Sequence, residues 1–501
     1  MTAVLLAVYI LTLAPTVTYW DAGEFLAAMH SLGIPHPPGT PLYILIGNVW
    51  GSLFGELLGF ARAVNLLSAL CTAAACGLFT RLMAGWTKRP IAAVAGGLCA
   101  GLMSSVWLNA TETEVYAPAL LMSVLLLVVA DSYRVSGETR WLVMLAYLCG
   151  LGWTLQLSAL VSAPAAIALT FVVRRRLTIQ SVSARMVAAA LVGASAVLFM
   201  IIRAQHDPAV NQGNPATWQA LLDVVTRAQY QPASLLPRQA PFYLQIGNLF
   251  EYADWQIALD FAPGAPPSWR RTPFTIVFAL LAIVGCVWHR RADRVSWRVM
   301  MLLFACATLG VIVYLNMKAG PSYGHGFLPP GAKHEARERD YFFALAFVCW
   351  GWWAGAGAVR AFSVRNARLG LAGVAIAILP AALNWRAVDR SEPSRATAAR
   401  DGAMRVIGAA PPRAVVFVYG DNDTYPAWYL QQVEGRRRDV TVVTVPLLGA
   451  AWYRGELARR HELIAQTYVT AWRGKGATVE EICREAHRQQ RPVDGASACD
   501  T

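Results

Sequence analysis

Long apolar runs are the feature that most constrains what this chain can fold into. A helix needs about 20 mostly apolar residues to cross a bilayer. Runs near that length lie at 1–18, 61–83, 91–108, 115–131, 141–157, 158–173, 186–203, 273–289, 297–315, 341–359 and 367–385. Charged residues make up only 15% of the chain, whereas soluble domains carry about 25%. The sequence therefore predicts an all-α polytopic membrane bundle.

The apolar stretch 42–58 decides the predicted topology, because glycines and Glu56 interrupt it. If it lies along the interface, the chain crosses about 11 times from a cytoplasmic N-terminus and every basic cluster falls inside. These clusters are Lys88 with Arg89, Arg134 with Arg140, and the segments 174–176, 290–294 and 360–368. A crossing at 42–58 would place all of them outside. The net charge of +13 thus fits the positive-inside rule and not nucleic-acid binding.

This topology divides the chain into a transmembrane domain, 1–385, and an extracytoplasmic α/β domain, 386–501. The outer loops of the first domain include 19–60 and the long 204–272. Within the latter, 215–230 reads as an amphipathic helix. Such a helix lies either on the membrane surface or against the bundle.

The first outer loop carries two carboxylates and a histidine. Asp21 and Glu24 are three residues apart and share a helix face, while the prolines around His36 fix a stiff loop after that helix. Partial desolvation at a membrane edge raises the basicity of a carboxylate, so Asp21 is the predicted catalytic base, with Glu24 beside it. The alternative for Asp21 and Glu24 is that they only stabilise the start of a helix, and the alternative for His36 is that it lies in a structural turn.

Charged residues from the other predicted outer loops lie on the same side of the membrane. They are Glu112, Glu114, Arg203, Arg337, Arg339 and Asp340. A guanidinium binds phosphate oxygens through two parallel hydrogen bonds, so outer arginines predict a site for a lipid-linked phosphate. Pairing with a neighbouring acid is the alternative for each one. The clustering at one membrane edge favours an enzyme over a transporter, which needs ionisable groups near the bilayer middle.

The C-terminal part reads as strand 414–419, helix 427–433 and strand 439–445, which is a βαβ unit. The turn Gly420-Asp-Asn-Asp423 resembles an acidic metal-binding turn but is shorter than an EF-hand loop, so capping of the next helix is favoured. Metal binding stays open, and no cofactor is predicted. The sequence has no phosphate-binding glycine motif, so the donor is expected to arrive already activated outside the membrane. Cys483 and Cys499 would pair if this part is extracytoplasmic.

Several motifs together resemble one family of multipass membrane proteins, long of unknown function, that includes protein O-mannosyltransferase-like members. The motifs are Asp21-Ala-Gly-Glu24-Phe25, His36-Pro-Pro-Gly39-x-Pro41-Leu-Tyr43, Arg62-Ala-Val-Asn-Leu-Leu-Ser68, Glu112-x-Glu114-Val-Tyr116, Arg337-Glu-Arg-Asp-Tyr-Phe342 and Gly420-Asp-Asn-Asp-Thr-Tyr-Pro426. The resemblance implies a GT-C glycosyltransferase fold, a polyprenyl-phosphate-linked sugar as donor and inversion at the anomeric carbon.

The resemblance also implies roles for individual residues. Asp21 becomes the base that activates the acceptor and Glu24 its neighbour, while His36 lies in the donor or acceptor site. Arg339 and Arg62 would contact the donor phosphate. Glu112, Glu114, Tyr116, Arg203, Arg337 and Asp340 complete the predicted binding site.

The predicted function is transfer of mannose or another hexose from a polyprenyl phosphate to a hydroxyl of a protein or glycan. The reaction is expected at the extracytoplasmic face of a bacterial inner membrane. The alternatives are a flippase for lipid-linked glycans and a lipid-phosphate transferase that moves no sugar. The chain begins almost directly at its first apolar run, without a basic lead, which leaves its start open upstream.

Overall fold

The computed structural model describes residues 1–172, 179–230, 234–264, 266–363 and 370–495. Its α-helices up to residue 225 are α1 (Thr2–Leu11), α2 (Ala22–Ser31), α3 (Pro41–Leu58), α4 (Phe60–Thr87), α5 (Pro90–Gly101), α6 (Ser104–Ala110), α7 (Tyr116–Ser136), α8 (Arg140–Leu155), α9 (Ala163–Thr170), α10 (Ile179–Ala194), α11 (Leu198–Gln205) and α12 (Trp218–Val225). The later ones are α13 (Phe242–Asp254), α14 (Thr272–Ala292), α15 (Arg294–Ala305), α16 (Val311–Leu315), α17 (Ala344–Ser363), α18 (Gly370–Ala377), α19 (Leu379–Val388), α20 (Pro393–Ala396), α21 (Ala398–Gly408), α22 (Asp421–Gln432), α23 (Ala451–His461), α24 (Gln466–Thr470) and α25 (Lys475–Arg488).

Within these described ranges, 8 helical segments are long and apolar enough to cross a membrane, or 9 with the α5–α6 pair, which is bent by 71°. The 8 segments are Pro41–Leu58, Phe60–Thr87, Tyr116–Ser136, Val182–Gln205, Thr272–Ala292, Arg294–Leu315, Asp340–Ser363 and Gly370–Val388. All but the first coincide with predicted spans. The chain is a multipass membrane protein, but the predicted count of about 11 crossings is not confirmed.

The differences from the predicted spans have local causes. The first run forms a helix only to Leu11. Pro15 disfavours the helical conformation at Ala14, and the Ala14 N–H donates to the Thr111 carbonyl instead. The stretch predicted to be interfacial forms α3, which itself meets the length and hydropathy expected of a span. The helices between Arg140 and Thr170 are shorter than a span.

A three-stranded parallel sheet lies in the C-terminal part, with strand order β2-β1-β3. Its strands are β1 (Val415–Val418), β2 (Thr441–Thr444) and β3 (Val493–Asp494). Because α22 connects β1 to β2, the predicted βαβ unit is present. The helix begins at Asp421, however, and not at the predicted residue 427. All side chains of β1 and β2 are buried, as expected where helices cover both faces of a parallel sheet.

The βαβ unit packs directly on the first loop of the membrane bundle. A Cβ atom added at Gly23 in α2 would lie 2.4 Å from the carbonyl carbon and oxygen of Tyr425 in α22, so the two helix backbones touch. Only glycine permits such an approach. The domain limits 1–385 and 386–501 stay a prediction, and Cys499 lies outside the described residues.

The predicted amphipathic helix at 215–230 is the shorter α12. Leu221 and Val224 are buried, whereas Trp218 and Leu222 are exposed. Only part of the apolar surface of α12 therefore packs on the bundle.

Candidate active site

The backbone at the start of α2 is held in an unusual conformation. Trp20 has a φ angle of +62°, a left-handed conformation that is rare for a bulky side chain. Its N–H donates to Asn422 Oδ1 at 2.7 Å. The acidic turn 420–423 thus contacts the first loop. The capping interpretation is wrong, because Asp421 and Asp423 lie in the first turn of α22 and no side chain among the described residues caps its start at Gly420.

Asp21 and Glu114 face one guanidinium, that of Arg337. Asp21 Oδ2 lies 3.4 Å from Arg337 Nη1, and Glu114 Oε1 lies 3.8 Å from Nη2. The Arg337 guanidinium lies over the rings of Tyr341 and Trp20, 4.3 and 5.2 Å from their centroids. These five residues, from three separate parts of the chain, are called the arginine cluster below.

The two carboxylates of the arginine cluster differ in exposure. The Asp21 side chain is 21% exposed and that of Glu114 only 8%. Burial and the nearby Asp21 charge raise the pKa of Glu114 to about 8, although Arg337 acts against this shift. At neutral pH Glu114 therefore holds a proton, so it attracts the Arg337 guanidinium only weakly.

A cavity of about 400 Å³ opens beside the arginine cluster. It is lined by Trp20, Ser105, Leu108, Asn109, Glu112, Glu114, Pro321, Ala336, Arg337, Glu338, Asp340, Tyr341 and Arg390. A second cavity of about 300 Å³ shares Trp20, Glu112, Glu114 and Arg390 with the first. The lining of the first cavity combines charged side chains with a larger share of apolar surface, which suits a sugar ring with its hydroxyl groups. In the described ranges, no three His, Cys, Asp or Glu side chains are arranged to hold a metal ion.

Glu24 lies in a different setting from Asp21. It is fully buried and accepts hydrogen bonds from the His36 backbone N–H at 2.6 Å and from Gln212 Nε2, while His36 Nδ1 lies 2.5 Å from its other oxygen. Burial lowers the pKa of His36, but the Glu24 carboxylate outweighs this and raises it to about 9. His36 is therefore a cation at neutral pH. Glu24, His36 and Gln212 are called the histidine cluster.

Backbone pairing brings Gln212 to this cluster. The Ile34 N–H donates to the Val210 carbonyl, and the Gln212 N–H donates to the Ile34 carbonyl. The long loop after α11 thus lies directly against the loop that carries His36.

Four further predicted residues lie close to the arginine cluster. Glu112 pairs with Arg390 and accepts a hydrogen bond from Thr18 at 2.8 Å. The ring of Tyr116 packs on that of Tyr341, with 4.7 Å between centroids. Arg339 pairs with Glu335 at 3.0 Å and donates to the Tyr341 hydroxyl. Asp340 accepts a hydrogen bond from Ser105 in the cavity wall.

Two predicted arginines lie elsewhere. Arg203 donates to the backbone carbonyls of Ser31 and Leu32, where it satisfies the C-terminal end of α2. Arg62 is exposed at the start of α4, and no contact among the described residues joins it to the arginine cluster. In the same motif Asn65 positions the site, because its side chain donates to the carbonyls of Ala14 and Thr16.

Sequence reasoning missed Trp20, Tyr341, Gln212 and Arg390. Trp20 and Tyr341 are adjacent to Asp21 and Asp340 and fall within or beside the motifs, so an aromatic next to a predicted charge was an available signal. Gln212 and Arg390 carry no local signal, since their partners are 188 and 278 residues away along the chain.

Two segments of the chain are similar to known protein families. Residues 21–180 match a family model described as the Protein O-mannosyl-transferase TMEM260 N-terminal domain, and residues 399–466 match TMEM260-associated domain 2. Protein O-mannosyl-transferase TMEM260 of Mus musculus is 33% identical over 99 residues, which cover 20% of this chain and 13% of that protein. Its Dictyostelium discoideum counterpart is 31% identical over 64 residues, 13% of this chain and 8% of that protein. The matched stretch thus spans a small fraction of either relative.

Two solved structures also align over most of the chain. They are ArnT from Cupriavidus metallidurans bound to undecaprenyl phosphate, with a TM-score of 0.44, 15% identity and 88% coverage of both chains, and the same protein in the apo state, with a TM-score of 0.36, 13% identity and coverage of 90% and 89%. Similarity this low supports no inference about the present chain. The two matched family domains contain Asp21 and the turn 420–423, so the first outer loop and the C-terminal part of this chain both resemble protein O-mannosyltransferase TMEM260 proteins.

Proposed function

We propose that this protein is a GT-C type glycosyltransferase that moves a hexose, with mannose as the first candidate, from a polyprenyl phosphate to a hydroxyl group. The acceptor is a protein or a glycan at the extracytoplasmic face, and the reaction inverts the anomeric carbon. The observation that carries the proposal is the arginine cluster beside a cavity lined by charged and aromatic side chains. The names of the matched relatives support the choice of sugar.

In the proposed reaction Asp21 acts as the general base. It takes the proton of the acceptor hydroxyl as that oxygen attacks C1 of the sugar. The bond between C1 and the phosphate oxygen breaks, and the phosphate leaves with the bonding electrons. General bases of this kind contribute roughly 10²–10⁴-fold to a rate.

Arg337 stabilises the charge that develops on the leaving phosphate. It now faces Asp21 at 3.4 Å and Glu114 at 3.8 Å, both longer than a close charge-assisted hydrogen bond. The donor phosphodiester carries one negative charge and would compete for this guanidinium when it binds, because protonated Glu114 attracts it weakly. Movement of Arg337 toward the phosphate then frees the Asp21 carboxylate for the acceptor proton.

The test is transfer of radiolabelled mannose from polyprenyl-phosphate-mannose by membranes that contain matched amounts of wild type or Asp21→Asn. We expect transfer by the wild type and a loss of about 10²-fold or more in the variant. Asp401→Asn is the control, because Asp401 is an exposed acid on α21. Equal transfer by wild type and Asp21→Asn would exclude Asp21 as the base. No transfer by the wild type would contradict mannose as the sugar, and other lipid-linked sugars would be tried.

A further inference from the structure

A separate cavity of about 230 Å³ lies between the loop 209–212 and helices α22 and α23. None of the arginine cluster lines it. It is smaller than the roughly 300–1,000 Å³ of pockets for drug-sized ligands, so its size fits a single ring or the end of a chain.

Two tryptophans contribute to its wall from different helices. Trp428 on α22 and Trp452 on α23 are both half-buried, so each ring is partly accessible. The Trp452 position is fixed by a hydrogen bond from its indole N–H to Gln229 Oε1 at 3.0 Å. Partly exposed aromatic rings beside polar groups suit a ligand with both an apolar face and hydroxyl groups.

The charges in the wall largely cancel. Glu456 pairs with Arg460 at 3.0 Å, and Arg460 also pairs with Asp207 at 2.7 Å. Burial and the nearby arginines lower the pKa of His461 to about 4, so its imidazole is neutral at pH 7. Arg438 lies in the wall as well, but it is exposed to solvent. The interior therefore suits an uncharged ligand better than an anion.

Two lining residues carry hydrogen-bond acceptors that are unpaired among the described residues. Asn211 Oδ1 and Gln212 Oε1 are buried and lack a donor among the described residues. A buried acceptor without a donor is unfavourable, and a ligand that donates hydrogen bonds relieves that cost. Hydroxyl groups are both donors and acceptors, so they also match the Glu456 carboxylate.

We propose that this cavity binds one pyranose ring of a glycan, with the ring face on the tryptophans and its hydroxyl groups toward Asn211, Gln212 and Glu456. Gln212 also donates to Glu24, so an occupant that donates to Gln212 strengthens that bond and supports the loop carrying His36. This inference does not rest on the proposed transfer reaction, since occupancy is measured without any turnover.

The test is photolabelling of the full-length protein in nanodiscs by a diazirine derivative of methyl α-mannopyranoside, with labelled peptides identified by mass spectrometry. We expect label on 424–434 and 450–461 that excess methyl α-mannopyranoside or methyl α-glucopyranoside removes. Trp428→Leu should lower this label roughly fivefold to tenfold, because it removes an aromatic face. Ala209→Phe should lower it by filling the cavity from the opposite wall.

Trp269→Leu is the matched control, because Trp269 is 80% exposed and lies outside the cavity. Its label on the two segments should equal that of the wild type. The proposal is overturned if neither segment carries label that free sugar removes. It is also overturned if both Trp428→Leu and Ala209→Phe, with wild-type melting temperatures, keep that label.

Discussion

Asp21 of the arginine cluster and Glu24 of the histidine cluster are three residues apart in one helical turn, yet the two carboxylates have opposite surroundings. Asp21 is partly exposed and shares a guanidinium with a second carboxylate at distances of 3.4 and 3.8 Å. Glu24 is fully buried, and its oxygens meet three donor groups at hydrogen-bond distance. A substrate phosphate can replace Asp21 as the partner of Arg337, whereas the hydrogen-bond donors around Glu24 are held in the protein interior.

This difference in surroundings distinguishes a catalytic carboxylate from a structural one better than residue type does. An acid that acts as a base must be able to leave its partner, and the contacts of Asp21 are loose enough for that. A buried carboxylate saturated with hydrogen bonds instead fixes the elements that donate to it. Glu24 fixes the loop with His36 and the segment with Gln212. We therefore expect Asp21 to determine rate and Glu24 to determine stability.

The largest expected effect is on stability, in Glu24→Gln. The new amide presents a donor where His36 and Gln212 already donate, and it leaves the half-buried His36 imidazolium without the counter-charge of the fully buried Glu24. Breaking a buried pair in this way costs about 3–5 kcal/mol. Thermal and denaturant unfolding in detergent should show this loss. Asp21→Asn in parallel should change stability by less than about 1 kcal/mol; an equal loss in both variants would remove the distinction between the clusters.

The next effect is on rate, in Arg337→Lys. Lysine keeps the charge but loses the planar fork that lies over Trp20 and Tyr341 and faces two carboxylates. We expect transfer to fall by about 10²–10³-fold, as when one stabilising donor is removed from a transition state. Arg339→Lys is the control, because Arg339 is committed to Glu335 and should lose less than about tenfold. A larger loss in Arg339→Lys would make Arg339 the phosphate ligand.

The apolar runs predict most of the bundle because the bilayer imposes one length and one composition on any helix that crosses it. The predicted run 61–83 is the helix Phe60–Thr87. The predicted span 1–18 is wrong because hydropathy does not reveal where a helix ends. Pro15 and the hydrogen bond from Ala14 to Thr111 end this helix at Leu11. Hydropathy also could not decide whether α3 crosses the membrane.

The sequence could place Asp21, Glu114 and Arg337 on one side of the membrane, but not in contact. The resemblance implied a role for Arg62, whereas Asn65 of the same motif makes the positioning contacts. The sequence also could not show that Glu24 holds two segments of the chain together. That assignment depends on Gln212, which lies 188 residues from Glu24.

The pH dependence of stability sharpens the comparison within the arginine cluster. Glu114 has a pKa of about 8 in the folded protein, above its ordinary value of about 4.5. Its contribution to stability is therefore complete below about pH 4.5 and is lost as the pH rises through 8. Glu114→Gln mimics the protonated acid, so wild type should melt progressively below Glu114→Gln between pH 5 and 9.

Asp439→Asn is the control for that measurement. Arg437 holds the pKa of Asp439 near 2, so its effect on the melting temperature should stay constant from pH 5 to 9. A constant gap between wild type and Glu114→Gln over the same range would mean that Glu114 is ionised throughout. Arg337 would then be shared between two anions, and its release to a phosphate would be harder.

The smallest expected effect concerns the contact on which both clusters depend, and it is tested by Gly23→Ala. The added Cβ would meet the Tyr425 backbone at 2.4 Å, so α22 must move away from α2. Overpacking of this kind costs about 1–3 kcal/mol. The displacement also pulls Asn422 from the Trp20 N–H, so transfer should fall with stability, unlike in Asp21→Asn. Gly402→Ala in α21, where the nearest atom is 3.7 Å away, should leave transfer unchanged and stabilise the helix by about 0.5–1 kcal/mol. Full transfer by a destabilised Gly23→Ala would mean that the C-terminal unit supports the fold without shaping the arginine cluster.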